Sequence, residues 1–146
     1  MFKITIEEIP RNREEEIVVR CHELSEEVSA VINRLRRSDA VLLGSKNGET
    51  YRIPLRDVYY IESVDNKTFL CLERDVYETR KKLYELEELT LGTKLFRCSK
   101  AMILNIGKIR SVSAAVNGRF EAKLINGETV IISRQYVPAL KEKLGM

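Results

Sequence analysis

The feature that most constrains this chain is a pair of Asn-Gly dipeptides, Asn117-Gly118 and Asn126-Gly127, set between runs rich in β-branched and aromatic residues. An Asn-Gly step enters the left-handed backbone region at little cost. Its twist matches that of two antiparallel strands. "IRSVSAAV", "RFEAKLI" and "ETVIIS" therefore read as three strands joined by hairpins. Upstream, "AVLLGS", "ETYRI", "VYYIES", "TFLCLE" and "DVYET" have the same character. Lys46-Asn47-Gly48, Asp65-Asn66-Lys67 and Arg74-Asp75 lie between them as turns. "TRKKLYELEELTL" breaks the pattern, with Leu83, Leu86 and Leu89 on one helical face.

Ahead of Ala40 the organisation differs. "FKITIEEI" and "EEEIVVRC" read as two strands joined through Pro10, Arg11, Asn12 and Arg13. A helix follows in "LSEEVSAVINRLRRSD", with Ser25 as N-cap, Glu26 and Glu27 in the first turn, and Arg34, Arg36 and Arg37 at the end. Val28, Val31, Ile32 and Leu35 form its apolar stripe. This β-β-α unit is too small to hold a core alone, so its apolar face must cover the rest of the chain or a second copy. The sequence thus divides into an extension, residues 1–40, with a candidate role in dimerisation, and a domain, residues 41–146. The domain is expected to be mainly antiparallel β with short helices and an elongated outline.

No apolar run approaches the ~20 residues that span a bilayer. The start, "MFKITIEEIPRNREEE", turns acidic where a signal peptide would be apolar. A cytoplasmic location is expected. Cys21, Cys71 and Cys98 are widely spaced, with no C-x-x-C pair, and His22 is the single histidine. Neither a disulfide framework nor a metal site is supported. Consecutive strand residues point to opposite faces, so Cys21 is expected to be buried and His22 exposed rather than paired as a reactive dyad. Hydrolase, phosphate-loop and metalloprotease signatures are missing, so no enzyme, cofactor or small-molecule substrate is indicated. Glu62, among apolar neighbours in "YYIES", reads as a strand carboxylate engaged in a hydrogen bond.

Charge points elsewhere. Residues 94–146 carry 10 basic against 3 acidic side chains, giving +7, whereas the chain as a whole is +3. A local excess of this kind suits a polyanion. Within it, Lys94, Arg97 and Lys100 recur before the apolar "AMIL" run. Ser133 looks like an N-cap, with Arg134 and Gln135 in the first turn of a helix marked by Val137, Leu140 and Leu144. A cation there opposes the helix field, unless an anion is to be held beside it. The turn Asn66-Lys67-Thr68 offers a third group of donors. Lysine and arginine contact phosphate and can donate to guanine O6 and N7. Lys94, Lys108 and Lys123 read as solvated surface, and Tyr59, Tyr60, Phe69 and Phe96 as core rather than base-stacking platforms.

From about Val41 to Leu144 the chain resembles the LytTR DNA-binding domain of bacterial transcription regulators. The resemblance is carried in order by "DVYYIESVDNKTFLCL", "LYELEE", "LFRCSKAMILNIGKIRSV", which ends its signature at Asn105, and "NGRFEAKLINGETVIISRQYVPALKEKL". It implies small stacked β-sheets whose loops enter successive major grooves of double-stranded DNA at promoter repeats, often from a dimer. By this resemblance, Asn66, Lys67 and Thr68, then Ser99 and Lys100, and finally Ser133, Arg134 and Gln135 face the groove, with Arg97 contributing charge. Arg134 matches the base-reading arginine. Where the family often has histidine, arginine and serine, this chain has Ser99, Lys100 and Ala101, exchanging a bidentate fork for a point charge. Residues 1–40 are too short for the receiver domain that usually precedes this module, and resemble the extension of its stand-alone members. The resemblance therefore implies a homodimer and admits a small membrane protein as partner. The competing expectation is an interaction module whose basic face meets an acidic or membrane-bound protein.

Overall fold

The computed structural model describes residues 2–37 and 40–146. After helix α1 (Glu26–Arg37) come strands β1 (Val41–Lys46), β2 (Glu49–Pro54), β3 (Tyr60–Val64), β4 (Lys67–Cys71) and β5 (Val76–Thr79). Helix α2 (Leu83–Leu89) precedes β6 (Leu95–Ser99), β7 (Met102–Asn105), β8 (Ile109–Ala114), β9 (Phe120–Leu124) and β10 (Thr129–Ile132), and α3 (Val137–Leu144) ends the chain.

The turn residues act as their chemistry requires. Asn47 and Gly48 have φ of 53° and 80°, and they close β1 on β2 with Lys46 opposite Glu49. Asp65 and Asn66, at 50° and 62°, close β3 on β4 with Val64 opposite Lys67. Both are two-residue turns with two left-handed residues, the geometry that follows strand twist. Asn117 and Gly118, at 61° and 74°, turn β8 into β9. In the second Asn-Gly only Gly127 is left-handed, although both loops hold three residues, Ala115 N–H donating to the Arg119 carbonyl at 2.8 Å and Leu124 N–H to the Glu128 carbonyl at 2.9 Å.

All strand pairs are antiparallel. They form one seven-stranded sheet, ordered β2-β1-β5-β4-β3-β7-β6, and a three-stranded sheet, β10-β9-β8. The small sheets expected from the sequence are thus largely fused, although β1 meets β5 through the single pair Ser45 and Glu78. The centre of the large sheet is buried on both faces, because alternate residues go to opposite sides. Val58, Ile61 and Ile103 join Leu83 and Leu86 of α2 in one core. Tyr59, Phe96, Cys98 and Leu104 join Ala122, Leu124 and Ile132 of the small sheet, with Val137 and Leu140 of α3, in the other.

Several expectations need correcting. Residues 95–105, read from the sequence as a basic connection and an apolar run, form the β6–β7 hairpin. In α2, Leu89 is exposed, and Thr90 takes the inward position one turn past Leu86, donating to its carbonyl at 2.7 Å. The two amino-terminal strands do not form. Residues 2–9 and 14–20 form no ladder around a turn in which Arg13 N–H donates to the Pro10 carbonyl at 3.0 Å. A lone two-stranded hairpin is marginal in water, and neither core includes a residue before Ala40. With no sheet face to cover it, Cys21 is exposed beside His22 rather than buried. Helix α1 does form, with Ser25 Oγ accepting from Val28 N–H at 3.2 Å. Val28 is buried, and Val31 is exposed on its stripe. The helix ending "SD", residues Ser38 and Asp39, lies outside the described residues together with the junction to the domain.

Candidate nucleic-acid interface

Two backbone hydrogen bonds place the three basic clusters side by side. In the β3–β4 hairpin, Ser63 N–H donates to the carbonyl of Ala101 at 2.8 Å, which joins this hairpin to the β6–β7 turn. At the far side of β6, Ser133 N–H donates to the Cys98 carbonyl at 2.9 Å. The order along one rim is therefore Asn66-Lys67, then Ser99-Lys100, then Ser133-Arg134-Gln135. A register shift between Arg97 and Ser99 bulges β6 just before its turn, the distortion that re-aims side chains at a sheet edge.

Not every residue assigned to the interface can reach a ligand. Thr68 is 3% exposed, paired opposite Ser63 and Thr79 in the sheet, so it serves the ladder and not the surface. Arg97 is also withdrawn, its side chain 19% exposed. Its Nε donates to the Ser99 carbonyl at 2.7 Å, Nη2 to the Lys100 carbonyl, and Nη1 lies 3.5 Å from Glu87 Oε1. The guanidinium fork gathers two carbonyls of the turn and fastens them to α2. Arg97 shapes the turn that presents Lys100.

The remaining donors are free to meet a partner. Asn66, Lys67, Lys100, Arg134 and Gln135 are exposed, with Ser99 and Ser133 half-buried between them. Lys67 Nζ is 3.9 Å from Glu78, a loose surface pair that phosphate can displace. Ser133 makes no side-chain cap. Arg134 lies in a 3-10 turn, Arg134–Tyr136, one step ahead of the α-helix proper. Pro138 sets that boundary, because it suits the first α-helical turn and lacks an N–H for anything deeper.

Two supporting residues escaped the sequence. Lys82, preceding α2, reaches the Asn66 carbonyl with Nζ at 3.5 Å, so α2 braces one rim turn through Lys82 and the next through Glu87. A lysine at a helix start opposes the helix field as Arg134 does, and that anomaly was legible. Glu87 left no comparable signal. Asn105, which closes the signature, is buried: Nδ2 donates to the Val58 carbonyl at 2.8 Å, and Oδ1 accepts from Gly107 N–H at 2.9 Å.

The LytTr DNA-binding domain family model matches residues 48–145, most of the chain. This chain belongs to the LytTR DNA-binding domain family. Its LytTR domain superposes on the LytTr DNA-binding domain of a Bacillus cereus protein with a TM-score of 0.69 and 25% identity, over 73% of this chain and 98% of that one. It is 26% identical over 110 residues to the sensory transduction protein LytT of Enterococcus faecalis, covering 75% of this chain and 45% of the relative. It is 30% identical over 98 residues to the transcriptional regulatory protein BtsR of Escherichia coli, covering 66% of this chain and 39% of that one. The chain thus spans less than half the length of these two relatives. An uncharacterised HTH-type transcriptional regulator of Staphylococcus aureus is 24% identical in a match that covers 100% of both chains.

Away from the rim, the LytTR domain uses its chemistry structurally. Lys108 lies over the Tyr59 ring at 5.0 Å and Lys141 over Phe120 at 5.4 Å, cation–π contacts that occupy two of the basic side chains. Tyr59 and Phe96 are buried, which removes them as stacking platforms for single-stranded RNA. Glu62 is half-buried on β3, opposite Phe69 and Met102. Burial pushes the thiols of Cys71 and Cys98 up to about 12. Among the described residues there is no cluster of metal-ligating side chains and no helix long and apolar enough to cross a membrane.

Proposed function

We propose that this protein is a sequence-specific transcription regulator that binds double-stranded DNA as a homodimer in the cytoplasm. The observation that carries the reading is the shared rim, in which two backbone hydrogen bonds set three slim, donor-rich connections in a row. Tight turns of this width fit a major groove ~12 Å across. Lys67 and Lys100 supply charge toward phosphate, so affinity falls steeply with salt. Arg134 reads a guanine edge, and Asn66, Ser99, Ser133 and Gln135 donate to bases or phosphates. Arg97 and Thr68 hold the turns in shape. The transcriptional role draws support from the names of the relatives.

The dimer draws support from the extension. Ile4 and Ile6 are 87% and 86% exposed, and the two segments also flank an open groove where Phe2, Ile9, Val18 and Val28 stand among charged residues such as Lys3, Glu7, Arg13 and Glu16. A second copy covers this surface in our reading. A small membrane-protein partner is the alternative occupant and would leave the isolated chain monomeric.

Selection of binding sites from a random duplex library tests the reading. Two enriched short half-sites, with sedimentation of the complex as a dimer, are expected. Salt-sensitive binding without any enriched motif would contradict it and return the basic face to an acidic protein partner.

A further inference from the structure

The β8–β9 hairpin comes close to the rim at one point. A Cβ built on Gly118 would lie 2.8 Å from Arg134 Cδ, 3.0 Å from its Cγ and 3.8 Å from its Cβ. The aliphatic stem of Arg134 therefore lies along the bare backbone of Gly118, carbon after carbon, as long cationic side chains do on apolar surface. The other turn glycines offer a contrast. Gly48 and Gly127 also have positive φ, 80° and 93°, yet nothing stands within 4 Å of a Cβ built on either. At those positions glycine answers a backbone requirement. At Gly118 it answers a backbone requirement and makes room for an arginine.

We propose that Gly118 is a specificity-positioning residue, a seat that fixes the direction in which Arg134 presents its guanidinium. The inference rests on the reading of Arg134 as a base-contacting residue. A free arginine side chain samples many rotamers, and ordering it on DNA costs rotamer entropy. Lying against Gly118, the stem has given up part of that freedom before DNA arrives, and the fork approaches a base edge at one angle. A side chain at 118 lifts the stem and leaves the charge present but loosely aimed. Discrimination is then lost while electrostatic attraction is kept.

The test compares Gly118→Asn, Gly127→Asn and Arg134→Ala. Asparagine is the residue after glycine that best tolerates left-handed backbone; both glycine variants carry backbone strain, and only the one at 118 also meets the Arg134 stem. Thermal melting establishes that each variant is folded. In the free protein, a nuclear Overhauser contact between Gly118 Hα and Arg134 Hδ is expected in wild type and in Gly127→Asn. Its absence from wild type would overturn the seat without reference to DNA. In site selection, Gly118→Asn is expected to blur the same single base position as Arg134→Ala, roughly tenfold in preference. Gly127→Asn keeps the wild-type motif. The salt slope separates the two losses: Gly118→Asn keeps it, and Arg134→Ala lowers it by about 1. A sharp wild-type motif in Gly118→Asn, with a blurred one in Arg134→Ala, would overturn the seat and leave the proposed function standing. A motif unchanged in Arg134→Ala would overturn the seat and the reading of Arg134 as a base contact, while the absence of any wild-type motif would overturn the proposed function itself.

Discussion

Residues 2–20 and residues 95–105 are each two short runs reversed by a turn, and each is rich in aliphatic side chains. The second pair is the tightly hydrogen-bonded β6–β7 hairpin, with Phe96 opposite Leu104 and Arg97 opposite Ile103. The first has no ladder at all. The difference lies in what stands beside them. β7 pairs with β3 along one edge, and the faces of the hairpin enter two cores, Leu95 and Ile103 into one, Phe96, Cys98 and Leu104 into the other. Among the described residues, the amino-terminal pair has no third strand and joins neither core. Strand propensity is satisfied by a neighbour, and where the chain lacks one, a second chain is the remaining source.

Core truncation is the strongest way to sharpen that contrast. Leu104→Ala removes a fully buried side chain and is expected to cost ~2–5 kcal/mol by urea unfolding. Ile6→Ala should stay within about 0.5 kcal/mol for the monomer while weakening the proposed dimer in sedimentation. A cost at Ile6 as large as that at Leu104, in dilute monomer, would mean the extension is folded onto the domain. Next in size, Asn105→Ala leaves the Val58 carbonyl and Gly107 N–H without their buried partner and should cost ~1–3 kcal/mol. Arg97→Lys is smaller, about 1 kcal/mol in stability. It should weaken DNA binding severalfold with an unchanged salt slope, because the cation stays while the fork holding Ser99 and Lys100 is lost. A lowered slope would place Arg97 on the phosphate instead.

The thiols give the mildest probe of the same contrast. Cys21 in the extension should react with an alkylating reagent within the mixing time, while Cys71 and Cys98 react only as the domain unfolds. Both buried thiols are raised from 9.0 to about 12 in the folded state. The unfolded chain therefore releases its thiol protons first, and stability is lost as pH rises from 9 through about 12. Urea midpoints recorded across that window should fall, and a flat profile would contradict the burial of the two cysteines.

How much of this was legible divides along the same line. The turns at Asn47-Gly48, Asp65-Asn66 and Asn117-Gly118 were readable because a left-handed backbone admits few residues. Helix α1 was readable through Ser25 and its stripe. The β6–β7 hairpin was hidden by its charged turn, and both faces of it are buried, which erases the alternation that marks a half-exposed strand. The amino-terminal strands were over-read because propensity is local and pairing is not. At the rim, residue type pointed to the three clusters, but only packing separates the exposed Lys100 from the clamping Arg97, or the exposed Asn66 from the buried Thr68. Asn126-Gly127 shows the same limit, since its dipeptide matches Asn117-Gly118 while only its glycine is left-handed.

The measurement that bears hardest on the shared rim is amide mapping by nuclear magnetic resonance, titrating the chain with the duplex recovered by selection. The largest shifts are expected together at residues 65–67, 99–101 and 133–135, with β1, β2 and the exposed face of α2 unmoved. Shifts confined to one of the three clusters, or centred on α2 or on residues 2–37, would show that the three connections do not act as one DNA-reading surface.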